Sequence, residues 1–348
     1  MDIYPYKFTP IYQERIWGGR NLARLFGREL PEDKTIGESW ELADLAEGTS
    51  VVANGPLAGR TLTELTRQLG PALLGGDANG PLTGMPSSDA GKMPATREGE
   101  TPSPRGRFPL LLKYLDAEAT LSLQVHPDAE AARLIGGGAA PKTECWYVLE
   151  SRGGFLYKGL RPGVTPETFR EAIRSGEVEP LLQRFDVAAG DFHYLPAGTV
   201  HALGAGVVVA EVQTPSDTTY RVTDWGRGRR IHVEEAMQCI GFGGALGAPP
   251  GAAGDALVSS EHFRLTRRRC RAGESLAFVH GVCAAIMLLE GAMALSHAGA
   301  AERAVQLAAG DTCLLPAGLP SAEGKALVDS VLLEISPGLH RDPATPGG

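Results

Sequence analysis

A twelve-residue motif occurs twice in this chain, and this repeat constrains the fold more than any other feature. The first copy is GDFHYLPAGTVH at 190–201, and the second is GDTCLLPAGLPS at 310–321. Both copies follow the pattern G-x5-P-x-G-x2, which predicts two related structural units in one chain. The first copy ends in His201, a possible ligand, whereas the second ends in Ser321.

The glycine and proline content also indicates the fold class. The chain of 348 residues contains 45 glycines and 25 prolines, which favours turns and short strands over long helices. Its length exceeds the usual range of one domain, and 43% hydrophobic residues are enough to build a core. We therefore predict a mainly β protein with more than one domain.

Charge and cysteine content exclude several classes of function. The formal net charge of -8 argues against a nucleic-acid surface, because phosphate backbones require a basic patch. The five cysteines include no CxxC pair, which argues against a zinc ribbon or a disulfide framework. The first residues, MDIYPYKFTPIYQERIW, contain no apolar signal segment, and no apolar run reaches 18 residues. We expect a cytoplasmic protein without membrane contact.

Local signals place several elements along the chain. Thr61 is a candidate N-cap for a helix at 61–68, and Thr165 and Gly176 bracket a predicted helix at 166–175. Helical spacing continues at 177–185. Two further segments are rich in glycine and proline: 75–107, interpreted as a disordered loop, and 241–256, interpreted as a linker.

The segment LSLQVHPD at 121–128 alternates apolar and polar residues, as a strand does. This pattern places Leu121, Leu123 and Val125 on one face. The opposite face carries Ser122, Gln124 and His126. A glutamine and a histidine on one face of a strand raise the question of what they bind.

The repeated motif resembles the second conserved motif of cupins, which are double-sheeted jelly-roll barrels that hold a metal among inward-facing side chains. This resemblance implies two cupin-like jelly rolls with a few helices, the second barrel being degenerate. The expected division is 1–240 for an N-terminal segment with the metal-binding catalytic cupin, 241–256 for the linker and 257–348 for the degenerate cupin-like domain.

Further segments resemble the type I mannose-6-phosphate isomerases, also called phosphomannose isomerases, in their short bacterial form. Seven segments match in family order: IWGGRNL (16–22), GESWELA (37–43), FPLLLKYLDA (108–117), LSLQVHPD, KTECWYVL (142–149), PAGTVHAL and SDTTYRVTDWGR (216–227). The resemblance implies an enzyme that interconverts mannose 6-phosphate and fructose 6-phosphate through an enediolate. It implies a small-molecule sugar phosphate as the binding partner, and we expect a monomer or weak homo-oligomer.

The resemblance also implies one zinc ion per chain, bound by the residues that match the family's ligands: Gln124, His126, Glu144 and His201. Two imidazoles, a carboxylate and an amide oxygen suit a divalent ion that acts as a Lewis acid.

Other residues fall on active-site positions of the family. The implied catalytic residues are Lys142, Glu211 and Arg221. The implied substrate-binding residues are Trp17, Glu38, Lys113 and Ser122. Whether Lys142 is the catalytic base or binds a substrate oxygen stays open at this level. No family role falls on His193, which is interpreted as a packed or exposed side chain.

Two other functions are compatible with a cupin fold. An iron-dependent cupin oxygenase would use a similar set of histidines and a glutamate, although Gln124 with a nearby lysine and arginine better suits an anionic sugar. A non-catalytic sugar-binding or regulatory cupin is the second alternative, and it would be favoured if Lys142 or Arg221 pointed away from the metal ligands.

Overall fold

The computed structural model describes residues 3–75, 107–244, 247–298 and 304–338. The predicted loop at 75–107 therefore lies, apart from its two end residues, outside the described part. The described chain is mainly β, as predicted. No helix in these ranges is long and apolar enough to span a membrane.

The first 117 residues contribute seven strands. They are β1 (Tyr6–Thr9), β2 (Ile11–Gly19), β3 (Ile36–Leu42), β4 (Asp44–Leu45), β5 (Gly48–Thr49), β6 (Val51–Val52) and β7 (Leu111–Ala117). The middle of the chain adds β8 (Leu123–Val125), β9 (Glu144–Ser151), β10 (Phe155–Leu160), β11 (Leu182–Asp186), β12 (Phe192–Leu195), β13 (His201–Leu203), β14 (Val207–Gln213) and β15 (Tyr220–Thr223).

The described residues of the last block contain nine strands, which belong to the second unit. They are β16 (Ala256–Ser259), β17 (Phe263–Cys270), β18 (Ser275–Ala277), β19 (Ala284–Glu290), β20 (Ala292–His297), β21 (Val305–Ala308), β22 (Thr312–Leu315), β23 (Ala322–Ala326) and β24 (Ser330–Pro337). The described helices are α1 (Asn21–Phe26), α2 (Leu62–Leu69), α3 (Pro71–Leu74), α4 (Ala129–Ile135), α5 (Pro166–Ser175) and α6 (Val233–Cys239), with a 3-10 turn at Glu179–Leu181.

Two pairs of antiparallel sheets form the two predicted cupin-like units. The first pair is a six-stranded sheet in the order β12-β9-β14-β7-β2-β3 and a five-stranded sheet in the order β11-β10-β13-β8-β15. The second pair is β16-β17-β24-β19-β22-β1-β6 and β18-β23-β20-β21. Each copy of the repeated motif forms a strand and a turn that lead to the next strand: β12 to β13 in the first unit, where His201 begins β13, and β22 to β23 in the second, where Ser321 immediately precedes β23.

The interiors of the two barrels differ in polarity. The second barrel is filled by an apolar cluster that includes Ile286, Leu295 and Leu332. The first barrel also has an apolar cluster, around Trp146 and Leu203, but buried charged side chains lie in its interior as well. The apolar filling of the second interior agrees with the prediction that this barrel is degenerate.

A third cluster joins the two units. It contains the outer face of the six-stranded sheet, for example Leu112 and Val212, together with the facing side chains Met287 and Leu333 of the seven-stranded sheet. The outer faces of these sheets therefore pack against each other. The cluster buries large side chains on both sides, and apolar burial of this kind is the main stabilising contribution in folding.

The N-terminal segment, which the sequence groups with the first unit, contributes strands to the sheets of both units. β2 and β3 belong to the six-stranded sheet, but β1 pairs with β22 in the register Tyr6 with Leu314. Arg28 donates to both oxygens of the buried Glu41. It also donates to the Gly310 carbonyl, which ties this segment to the turn before β22.

Most predicted elements are found, and one is corrected. The helix α5 has the predicted bounds, with Thr165 in a capping box and Gly176 in the left-handed conformation at the C-cap. The helix predicted at 177–185 is wrong. That segment forms the 3-10 turn and β11, because Phe185 and Leu182 pair with Leu156 and Leu160 of β10. Tertiary pairing overrides the local helical spacing there.

Candidate metal centre and active site

Three predicted ligands meet in the interior of the first barrel. His201 begins β13, Glu144 begins β9, and His126 follows β8. One potential ligand atom from each residue lies within 4.8 Å of the others. Among the described residues, these three form the group of histidine, cysteine or acidic side chains that could hold a metal ion. All three are at most 1% exposed.

The hydrogen bonds of the two histidines fix their tautomers. His126 Nδ1 lies 2.9 Å from the Thr218 carbonyl oxygen, and His201 Nδ1 lies 2.8 Å from the Thr199 carbonyl oxygen. A carbonyl oxygen only accepts, so each Nδ1 carries the proton. The Nε2 atom of each neutral ring therefore presents a lone pair.

Both lone pairs face the same carboxylate. His201 Nε2 lies 3.0 Å from Glu144 Oε1, and His126 Nε2 lies 3.3 Å from Glu144 Oε2. His126 Nε2 and Glu144 Oε1 are buried and make no hydrogen bond within the described chain, and Glu144 Oε2 lies 2.8 Å from Lys142 Nζ. Three electron-pair donors that face each other without a proton between them fit a bound cation. The donor set therefore fits a metal ion.

The charge states agree with this description. Burial lowers the pKa of His126 to about 3, and the charge of Lys142 lowers it further, so the imidazole is neutral at neutral pH. Burial alone would raise the pKa of Glu144. The charge of Lys142 and the interactions with His126 and His201 together outweigh burial and hold this pKa well below its usual range. The cluster thus combines a carboxylate with the neutral imidazole of His126.

Gln124, the fourth predicted ligand, lies beside these residues. It pairs in register with His201, and its Nε2 lies 3.3 Å from His201 Nε2. Rotation of the amide by 180° exchanges its nitrogen and oxygen, so the same position can present an oxygen ligand. Leu123 and Val125 point to the opposite side, toward the helices, as the alternation predicted. Leu121 departs from that pattern and joins the barrel interior, because β8 begins only at Leu123.

A buried ion network adjoins the cluster. Lys113 Nζ lies 3.4 Å from Glu38 Oε2 and 3.3 Å from Glu211 Oε2. Arg15 Nε donates to Glu38 Oε1 at 2.6 Å. The predicted substrate-binding residue Lys113 is therefore held between two carboxylates in this structure.

The two carboxylates of this network differ in proton affinity. Burial alone would raise the pKa of Glu38, but the charges of Lys113 and Arg15 bring it to about 2. The pKa of Glu211 is raised, first by burial and then by the negative charge of Glu144. A carboxylate with a raised pKa binds a proton more readily at neutral pH, which distinguishes Glu211 from Glu38.

The remaining predicted residues lie in the first barrel and differ in their contacts. Lys142 Nζ lies 2.8 Å from Glu144 Oε2. Arg221 pairs with Gln124 in register, and its Nη1 donates to the Arg230 carbonyl at 2.7 Å. Ser122 is buried just before β8, and Trp17 is buried in the apolar cluster of the barrel interior.

Comparison with known proteins assigns the chain to a family. Residues 71–145 match the family model described as phosphomannose isomerase type I, catalytic domain. The chain is 37% identical to the mannose-6-phosphate isomerase ManA of Bacillus subtilis over 69% of each chain. It is 36% identical to the mannose-6-phosphate isomerase of Streptococcus mutans, over 72% of this chain and 74% of that one. The chain belongs to the type I phosphomannose isomerase family.

Solved structures agree with this assignment. The crystal structure of the mannose 6-phosphate isomerase from Bacillus subtilis matches with a TM-score of 0.79 and 29% identity, over 95% of this chain and 99% of that one. A mutant phosphomannose isomerase from Salmonella typhimurium has a TM-score of 0.75 at 16% identity, over 96% and 100% of the chains, and supports the fold. The fold of this chain thus has solved relatives that cover 95% or more of it.

Several groups in this site were not identified from the sequence. Trp146 donates from Nε1 to Glu211 Oε1 at 2.9 Å, and its ring lies 5.4 Å from that of His201. Trp146 follows Glu144 by two residues, so strand alternation would have placed both on one face. The carbonyls of Thr199 and Thr218 carried no signal, because backbone groups that orient a histidine are visible only in three dimensions.

Proposed function

We propose that this protein interconverts mannose 6-phosphate and fructose 6-phosphate with one zinc ion held by Gln124, His126, Glu144 and His201. The carboxylate of Glu144, which faces two imidazole lone pairs with no proton between them, is the observation that carries the proposal. The family relationship supplies the reaction, since relatives of 36–37% identity are mannose-6-phosphate isomerases by name. Zinc is proposed because two nitrogen and two oxygen donors suit it.

The proposed reaction moves a proton between C1 and C2 of the sugar through an enediolate. A divalent ion, when bound, supplies Lewis acidity that favours the negative charge on the sugar oxygens. The side chains around it hold and move the protons. Because these groups are buried, their electrostatic interactions are stronger than they would be in water.

Lys142 and Glu211 are the proposed proton-handling groups. The Lys142 ammonium lies against Glu144 and is placed to donate a hydrogen bond to a substrate oxygen. Glu211 has a raised pKa, so it is the group that takes up the proton from carbon more readily. We therefore assign Lys142 to the oxygens and Glu211 to the transferred proton.

The other predicted residues are proposed to bind and position the sugar phosphate. Arg221 carries a buried Nε without a hydrogen-bond partner in the described chain, which leaves this donor for an anionic oxygen. Ser122 is proposed as a second donor. Lys113 fixes Glu38 and Glu211 on either side of its ammonium and so keeps the pocket carboxylates apart. Trp17 is proposed to form an apolar wall.

The proposed roles of the two barrels follow from the difference in polarity between their interiors. Residues 1–240 contain all the proposed ligands and catalytic groups. We assign 241–256 to the connection between the units and the described part of 257–348 to the second barrel, which β1 and β6 of the N-terminal segment complete. Among the described residues the interior of that barrel is an apolar cluster, so we assign it a structural role.

An isotope experiment tests the proposal. Purified protein would be incubated with mannose 6-phosphate in deuterium oxide, and fructose 6-phosphate would be followed by NMR. We expect fructose 6-phosphate to form, and deuterium to enter at the carbon that exchanges its proton with Glu211. Glu211→Gln should abolish turnover, whereas the exposed control Glu323→Gln should retain it. A folded, metal-loaded protein without turnover would favour the sugar-binding or oxygenase alternatives.

A further inference from the structure

Lys158 is a basic side chain inside the first barrel that the proposed reaction does not use. It lies on β10, in register with the metal-ligand candidate His201 on β13. Its neighbours on β10 define its direction: Leu156 belongs to the interior cluster and Tyr157 to the cluster beneath the helices. Alternation therefore turns Lys158 inward, on the same face as His201 and about 5 Å from it between Cβ atoms.

Lys158 differs from the other basic side chains around the metal centre. Lys113 lies between two carboxylates, and Lys142 lies 2.8 Å from Glu144. Within the described ranges no carboxylate lies within 4.0 Å of Lys158, and its ammonium makes no hydrogen bond there. It is only partly buried, so an ion from solvent can reach it. A partly desolvated ammonium without a counter-ion is a strong attractor of anions.

His193 provides a second unpartnered group on the same side of the barrel. It lies on β12 in register with Trp146, a residue of the interior cluster, so its ring also points inward. Its Nε2 is buried and has no hydrogen-bond partner among the described residues. Phe185 of β11 pairs with Leu156 of β10, two residues before Lys158, and the Phe185 ring lies 6.3 Å from that of His193, so His193 lies close to this part of β10.

The other groups near His193 leave its Nε2 without a partner. The Phe185 ring of β11 lies 6.3 Å from the imidazole. Asp191 is the acidic group that acts on His193, but Asp191 Oδ2 accepts the backbone N–H of Ala188. An ammonium and a neutral imidazole that both lack acceptors provide two donors for one oxyanion.

We propose that Lys158 and His193 form a binding site for a phosphate group, either that of the sugar phosphate or inorganic phosphate. The site lies across His201 from Arg221: β10 adjoins β13 on one side, whereas β8 and β15 lie on the other. Sugar oxygens at the metal centre and a phosphate at Lys158 would occupy neighbouring positions along one wall of the barrel. This inference rests on the proposed function only for the assignment of the sugar phosphate.

Titration with inorganic phosphate tests the site without relying on turnover. Calorimetry would use the full-length, metal-loaded protein at pH 7.5, with equal zinc content verified in each variant. Lys158→Met removes the charge at similar length, and His193→Phe removes Nε2. We expect Lys158→Met to raise the phosphate Kd at least about tenfold and His193→Phe to raise it severalfold. Lys158→Arg should retain binding, as should Lys325→Met, a control on the exposed face of the second barrel.

Kinetics with mannose 6-phosphate distinguish the two sources of phosphate. A KM that rises about tenfold in Lys158→Met with kcat changed less than about twofold would show that the substrate's phosphate uses the site. An unchanged KM together with lost phosphate binding would assign the site to inorganic phosphate. An unchanged phosphate Kd in Lys158→Met, or no saturable binding to the unmodified protein, would overturn the proposal. A protein without isomerase activity would still give a phosphate titration, so the two proposals fail separately.

Discussion

His201 Nε2 and Glu144 Oε1 lie 3.0 Å apart with no proton to share, because the imidazole carries its proton on Nδ1. The same relationship recurs between His126 and the other oxygen of this carboxylate. Lys142 Nζ lies 2.8 Å from Glu144 Oε2, whereas the imidazole lone pairs of the two histidines face the carboxylate without a donor between them, and a buried acceptor that lacks a donor costs free energy. Metal binding between these groups would compensate for that cost.

Replacing Glu144 by Gln tests how this carboxylate contributes to stability and to metal binding. The substitution removes the carboxylate charge that faces the buried Lys142 ammonium, so the chelated Glu144→Gln protein should unfold at a lower temperature than the chelated wild type. Zinc affinity should fall at least about a hundredfold, because a charged ligand is lost. Zinc should therefore raise the unfolding temperature of the wild type but not that of the variant, and calorimetry with chelator and with zinc measures both effects. A variant that zinc stabilises as much as it stabilises the wild type would contradict the argument.

The Arg28–Glu41 ion pair is predicted to be essential for stability. Its side chains are 11% and 2% exposed, so Arg28→Met would leave a buried carboxylate without its counter-ion. We expect the free energy of unfolding to fall by ~3–5 kcal/mol. The matched control is Arg60→Met, which breaks the exposed pair with Glu64 and should change stability by less than ~0.5 kcal/mol. Equal effects of the two variants in denaturant unfolding would refute the prediction.

His193 should make stability depend on pH. Burial and the charge of Lys158 lower its pKa from 6.5 to about 4, so the unfolded chain binds the proton more readily than the folded protein. The stability that the neutral imidazole of His193 contributes to the folded protein is complete above pH 6.5 and is lost as the pH falls toward 4. Between these limits we expect a loss of ~1 kcal/mol, allowing for partial solvent exposure. Chelated His193→Phe should show a flatter pH profile in urea unfolding than the chelated wild type. Identical profiles would exclude this role.

The hydrogen bond from Trp146 to Glu211 should tune the pH dependence of catalysis. Trp146→Phe removes the donor and keeps most of the ring, which raises the pKa of Glu211 further. The acid limb of kcat/KM should then move to higher pH by less than ~1 unit, because the deprotonated carboxylate is required. Trp40→Phe is the matched control, since it removes the equivalent donor to Glu38. An equal shift in both variants would show that Glu211 does not set this limb.

Local sequence signals predicted the elements that depend on local interactions. Thr165 and Gly176 define α5 because a capping box and a left-handed C-cap need only neighbouring residues. The segment at 177–185 was mispredicted because its pairing with β10 depends on residues distant in sequence. The repeated motif predicted two barrels because each copy encodes a strand, a turn and a strand.

Part of the site could be predicted because its residues lie in short sequence motifs. His126, Glu144 and His201 lie in motifs that match the family, and the structure brings them together. Lys158 and His193 carry no motif, and they lie on strands of different sheets, β10 and β12, so their relationship is visible only in three dimensions. The two carboxylate partners of Lys113 were likewise not predicted, because Glu38 and Glu211 are distant from it in sequence.

The central claim is that this cluster binds the metal on which isomerisation depends. The most direct test is to titrate zinc into chelated protein while measuring bound zinc and the conversion of mannose 6-phosphate in the same samples. We predict that turnover rises in proportion to bound zinc and reaches its maximum at one zinc ion per chain. His126→Ala should show neither bound zinc nor turnover at these concentrations. The exposed control His280→Ala should behave as wild type. Turnover in the fully chelated protein, or one bound zinc without turnover, would contradict the claim.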